Sequence, residues 1–187
     1  MTPLLRPGCS RRGALVALGL AMVSARAQPL PVELEADLPG ARLQGSGRLR
    51  FLGLRVYDIR LWASAPVPRG EAWAAQPLAL EIQYARALVG KLIAERSIEE
   101  MRRQGPLADD KAARWLAAMT ATFPDVKEGD RLTGVFRPGE WARFHHNGKP
   151  VGEMRDAEFA RLFFGIWLSP RTSEPALRDA LLNAGPT

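Results

Sequence analysis

"GSGRLRFLGLRVYDIRLW" (Gly45–Trp62) sets four arginines among Leu, Phe, Val, Tyr and Trp. Leu49 and Phe51 alternate with Arg48 and Arg50, the period-2 pattern of a strand with one apolar and one polar face. After Gly53 the phase slips, and Leu54 and Val56 alternate with Arg55 and Tyr57. A glycine at a phase slip predicts a bulge or sharp bend in a continuing strand. Three readings of the arginines are open. They form a basic surface for an anion such as nucleic acid, or the wet face of a sheet, or one of them turns inward to hold a small charged ligand in an apolar pocket.

Outward from this stretch the pattern continues. "VELEADL" (Val32–Leu38) alternates apolar and acidic residues and reads as a half-buried strand closed by Pro39–Gly40. On the other side a loop, "SAPVPRGEAWAAQP" (Ser64–Pro77), leads to a strand, "LALEIQYARAL" (Leu78–Leu88), with Leu80, Ile82 and Tyr84 on one face. The period then changes. "VGKLIAERSIEEMRRQG" (Val89–Gly105) has Val89, Leu92, Ile93 and Met101 near helical spacing. "LADDKAARWLAAMTATFP" (Leu107–Pro124) predicts a second amphipathic helix, capped by Asp109 and ended by Pro124. "EGDRLTGVFRPG" (Glu128–Gly139) and "EWARFHHNGKPVGEM" (Glu140–Met154) read as short antiparallel strands, with Asn147–Gly148 a strong hairpin signal. "DAEFARLFFGIWL" (Asp156–Leu168) and "SEPALRDALLNAG" (Ser173–Gly185) predict two closing helices, the last with a Ser173 cap and Gly185 at its end. Strands, two helices, strands, two helices: the order predicts an α+β domain, with a long antiparallel sheet covered on one face by helices.

The N-terminus bounds the function. Arg6, Arg11 and Arg12 precede "GALVALGLAMVSA" (Gly13–Ala25), too short for a bilayer-spanning helix of about 20 apolar residues. "ARA" (Ala25–Ala27) is a small-x-small cleavage pattern. The expectation is a signal peptide over residues 1–27, a single domain over 28–187, no stable membrane span after cleavage, and a periplasmic or secreted location. "SRRGAL" (Ser10–Leu15) resembles a twin-arginine export signal, with Ala14 where a large apolar residue is usual. The full chain has 26 basic and 20 acidic side chains; residues 1–27 hold four arginines and no acid, which leaves 22 against 20, or +2. That balance argues against nucleic acid as a partner. Cys9, the single cysteine, lies in the signal, so no disulfide or thiolate metal site is expected in the domain.

Three stretches carry a resemblance. They are "GSGRLRFLGLRVYDIRLWA" (Gly45–Ala63), "VKEGDRLTGVFRPGEWARFHHNGKPVGEM" (Val126–Met154) and "FARLFFGIWLSPRTSEPALRDALL" (Phe159–Leu182). Together they resemble the bacterial chalcone isomerase-like family over roughly residues 32–184. The resemblance implies an open-faced β-sandwich with a ligand cleft between sheet and helices. Its enzymes cyclise a chalcone; related plastid proteins bind fatty acids, with an arginine and a tyrosine at the carboxylate. The family arginine, two residues past the second glycine, is matched by Leu49, flanked by Arg48 and Arg50. Tyr57 falls near the enzymes' threonine and fits the fatty-acid binders' tyrosine. The enzymes' tyrosine falls at Ile93, their asparagine near Glu100, and a polar residue late in the third helix is replaced by Ile166. The isomerase constellation is mostly unmatched.

The candidate ligand-binding residues are therefore Arg48 (if a bulge turns it inward), Tyr57, Tyr84 and Arg86. Tyr84 and Arg86 stand two apart on the strand Leu78–Leu88 and so share a face. The expected partner is a small apolar or amphipathic ligand such as a fatty acid, with no cofactor and no metal. His145 and His146 are adjacent on a strand, point to opposite faces and do not chelate one ion. The alternatives are an isomerase or intramolecular lyase acting on an enone-like substrate, and a scaffold whose cleft is packed shut.

Overall fold

A computed structural model of the chain describes residues 29–182. The expected signal segment and cleavage site, with Cys9 and Gly185, lie outside the described residues. Gly45–Trp62 is not one bent strand. It is a hairpin of β1 (Arg42–Phe51) and β2 (Leu54–Ala63), joined by two residues. Leu52 (φ 49°) and Gly53 (φ 79°) both lie in the left-handed region, the two-residue turn whose twist matches that of flanking strands. The phase slip after Gly53 is thus a reversal of the chain.

β3 (Leu78–Tyr84), β4 (Arg131–Arg137), β5 (Trp141–His146) and β6 (Lys149–Met154) complete the sheet. All six strands are antiparallel, in the order β1-β2-β3-β4-β5-β6. The Asn147–Gly148 hairpin forms as expected, with φ of 50° and 80°. Helices α1 (Gly90–Arg102) and α2 (Asp109–Thr122) follow β3; α3 (Ala157–Leu168) and α4 (Pro175–Leu182) follow β6. The helices cover one face, where an aromatic chain of Phe123, Phe144, Phe159, Phe163 and Trp167 packs with ring centroids 5.1–6.5 Å apart. Truncating one such ring to alanine costs about 3–5 kcal/mol.

The strand expected at Val32–Leu38 does not form. A 3₁₀ turn at Val32–Leu34 starts the segment, and Leu38 N donates to Leu34 O at 2.8 Å. Leu34 and Leu38 are both buried, a helical turn apart, against Trp62, Ala79, Val135 and Trp141 on the other sheet face. Ion pairs fix this cover: Glu33 with Arg131 at 3.0 Å and Asp37 with Arg143 at 2.6 Å. Two expected caps also differ. Ala108, not Asp109, precedes α2, and Asp109 pairs with Arg102 at 2.7 Å instead. The chain enters α4 through Glu174, whose carbonyl accepts from Arg178 N at 3.0 Å, one residue past Ser173.

The glycine pair of β1 has a packing cause. A methyl added at Gly45 would meet the Ala180 carbonyl oxygen at 2.6 Å and overlap that of Leu181. One added at Gly47 would overlap Leu177 Cδ1. The backbone of α4 therefore rests directly on β1. Gly45→Ala is expected to lower stability by about 1–3 kcal/mol in urea denaturation. Gly105→Ala, whose methyl would meet only Arg171 Nη1 at 3.9 Å, is expected to shift it by less than about 0.5 kcal/mol.

Candidate ligand-binding site

Antiparallel register brings the site together. Leu49 pairs with Tyr57, and Tyr57 with Tyr84, so three side chains stand abreast on the helix-covered face of β1, β2 and β3. The β1–β2 pairing then skips a residue, since Arg50 pairs with Arg55 and leaves Val56 as a bulge. Above this row lies a cavity of about 410 Å³, within the usual range for small-molecule sites. Its walls are largely apolar: Leu49, Val56, Ile82, Leu88, Ile93, Leu132, Phe163 and Ile166. The cleft is open, not packed shut.

Polar groups enter it at defined points. The chain's two tyrosines both line it, their rings edge-on at 6.2 Å. Trp167 Nε1 donates to the Tyr57 hydroxyl oxygen at 2.9 Å. With a lone pair so occupied, the Tyr57 O–H is left to donate. Burial pushes both phenols well above the ordinary tyrosine value. For Tyr57 the bond from Trp167 opposes this rise, and the charges of Glu174 and Glu100 add to it; for Tyr84 the neighbouring Tyr57 adds to it. Both are neutral donors at physiological pH. Ser97 and Glu100 come from α1, and Glu100 is buried with Arg96 Nη2 at 2.5 Å and Arg103 Nε at 3.3 Å, as a buried carboxylate requires. Arg50, Phe51, Arg86, Leu92, Arg96, Ser173 and Glu174 complete the lining.

Of the sequence candidates, Tyr57, Tyr84 and Arg86 converge on this cavity. Arg86 gets there from a bend, because β3 ends at Tyr84 rather than running on. It is exposed and has no ion-pair partner among the described residues. Arg48 lies elsewhere. The bulge falls beyond it, and its Nε donates to Asp58 Oδ1 at 2.7 Å in a separate surface groove that also includes Arg60. Arg50, next to the bulge, reaches the cavity instead. Leu49, Ile93, Glu100 and Ile166, the positions matched to the enzymes' polar groups, all line the cavity, and three of the four are apolar. Ser97, Glu100 and the role of Trp167 were not foreseen. A signal existed for the first two: Ile93, Ser97 and Glu100 recur at helical spacing, so polar groups share a face with a core residue. Among the described residues no cluster of three or more His, Cys, Asp or Glu side chains is placed to hold a metal ion.

An open α+β sandwich with a largely apolar cavity between sheet and helices defines the class. The chain belongs to the chalcone isomerase-like family, whose pattern it matches over residues 30–183. An uncharacterized protein of Haemophilus influenzae is 34% identical over 107 residues, which cover 57% of this chain and 52% of that protein. The chain thus aligns with about half the length of this relative. The crystal structure of a fatty-acid binding protein from Arabidopsis thaliana shares the fold, with a TM-score of 0.58 and 13% identity over 77% of this chain and 87% of that one.

The chain's two tyrosines make a direct test possible. At pH 10 a free tyrosine is half ionised, whereas the folded protein is expected to show almost no tyrosinate absorbance until well above that pH. Denaturant should restore ordinary titration of both. The sign for stability follows: folded values raised above the unfolded one leave stability untouched below about pH 10 and erode it as pH rises further. Tyrosinate appearing in the native protein at pH 10 would refute the buried, neutral pair.

Proposed function

We propose that this is an exported, non-catalytic binding protein for an amphipathic ligand with an anionic head, such as a fatty acid. One observation carries the reading: two neutral phenol donors and the unpaired Arg86 meet in a cavity whose walls are mostly apolar and whose buried acid, Glu100, is already paired with Arg96 and Arg103. Phenols kept neutral by burial donate hydrogen bonds to an acceptor without adding negative charge. An apolar tail would take the Leu, Ile and Phe walls, and the head would be met by Tyr57, Tyr84 and Arg86. A carboxylate entering such a site needs these partners, because an uncompensated buried charge is very costly. The fold shared with a fatty-acid binding protein supports the same ligand class. The enzyme alternative has less support, since Leu49, Ile93 and Ile166 offer no group to hold a developing oxyanion, the task such catalysis requires.

Displacement of a fluorescent fatty acid tests this. Saturable binding is expected. Tyr57→Phe combined with Tyr84→Phe should weaken it by roughly tenfold, from about 0.5–1.5 kcal/mol per lost hydrogen bond. Arg86→Ala should weaken it several-fold at low ionic strength and less at high salt, since the arginine is exposed and screened. No saturable binding, or affinity unchanged in all these variants, would remove the proposal.

A further inference from the structure

The tip of the β1–β2 hairpin carries apolar side chains that the fold does not use. Phe51 is 66% exposed, Leu52 86% and Leu54 59%. Phe51 and Leu54 form the last pair of the ladder, with Leu52 on the turn itself. A leucine at φ 49° occupies backbone space that asparagine or glycine fills at lower cost. Nothing packs on the turn: a methyl added at Gly53 would have no neighbour within 4 Å. Phe51 also lines the cavity, as does Leu92 of α1, 58% exposed. The patch is therefore continuous with the cavity mouth.

Charge selects the partner. From Arg48 to Tyr57 the chain has three arginines and no acid. Arg48 and Arg55 lean on Asp58, while Arg50 bonds only the Gly53 carbonyl, at 3.3 Å. Arg50 and the unpaired Arg86 stand at the same mouth. The acids there, Glu100 and Glu174, come from α1 and the entry to α4, not from the tip. We propose that this hairpin tip docks on the surface of an anionic phospholipid bilayer, so that the cavity mouth opens onto the membrane. A projecting cluster of three apolar side chains is too small for a standard protein interface, which buries about 800 Å² per partner. It suits insertion at the acyl boundary, with guanidinium groups level with the phosphates. Phosphate oxygens accept from arginine in charge-assisted pairs. The purpose of the docking, ligand exchange with the bilayer, rests on the ligand reading above; the docking itself is measured separately.

The experiment is flotation of the protein, purified from cells in the form they leave it, with vesicles of phosphatidylglycerol and phosphatidylcholine, and with phosphatidylcholine alone. Leu52→Asn and Leu54→Thr are the variants, because neither residue lines the cavity and both replacements suit their backbone. Binding is expected to the anionic vesicles only, to weaken as salt rises, and to fall about tenfold in each variant, the scale of one leucine withdrawn from an apolar phase. Solution affinity for the fluorescent fatty acid should be unchanged in both variants, and thermal stability should hold in Leu52→Asn. Vesicle binding equal in wild type and both variants would overturn the proposal, even with fatty-acid binding intact. So would absence of vesicle binding alongside stoichiometric capture of a protein through the tip. Loss of fatty-acid binding alone would overturn the ligand reading and leave the docking standing.

Discussion

The row Leu49–Tyr57–Tyr84 is the constraint on which the site depends. Side chains alternate across a sheet with a period of two, so a one-residue slip in either pairing would send a phenol to the opposite face. There Tyr57 would meet the ionic layer built by Arg60, Glu81 and Arg131, and the cavity would lose a donor. The two-residue turn at Leu52–Gly53 and the bulge at Val56 together fix one pairing. The other ends its ladder and is held by the apolar pairs that follow on the same face, Ile59 with Ile82 and Leu61 with Leu80, all buried.

The helix cover completes what the register begins. Gly45 and Gly47 let α4 settle on β1, and the preceding turn carries Ser173 and Glu174 to the cavity. Trp167, near the end of α3, closes the same corner and spends its one N–H on Tyr57. Two demands meet in that bond. The buried indole donor gains an acceptor, and the phenol keeps its proton for whatever enters.

The architecture was legible where a single physical pattern dominated. Period-2 runs marked the strand content of β1 through β3, Asn147–Gly148 marked the β5–β6 turn, and the change of period after Leu88 marked α1 and α2. Legibility failed where two patterns coincide over a short span. In Val32–Leu38 apolar residues two and four apart fit both a strand and a helical turn, and burial of Leu34 with Leu38 decided for the turn. The slip at Gly53 fits a bulge or a reversal; the left-handed φ of Leu52 decided for reversal, and no local preference announces a leucine there. The site was legible through its tyrosines, since a sheet face groups them. Arg48 was misplaced because the bulge falls at Val56, and bulge position is set by cross-strand packing rather than by the strand's own residues. Glu100 and Ser97 are placed by the docking of α1, which sequence spacing alone does not orient.

A six-stranded meander leaves both outer strands with unpaired backbone groups along one side. Such borders invite a second chain to add itself and extend the sheet into aggregates. Here the last strand opens with Lys149 and Pro150 and meets its neighbour through an irregular pairing at Phe144/His145. The first carries Arg42, Arg48 and Arg50, holds Gly45 and Gly47, and slips register between Leu43 and Gly45. Cation, proline, glycine and misregister all discourage templated growth, so the same arginines that decorate β1 also guard its rim against added strands.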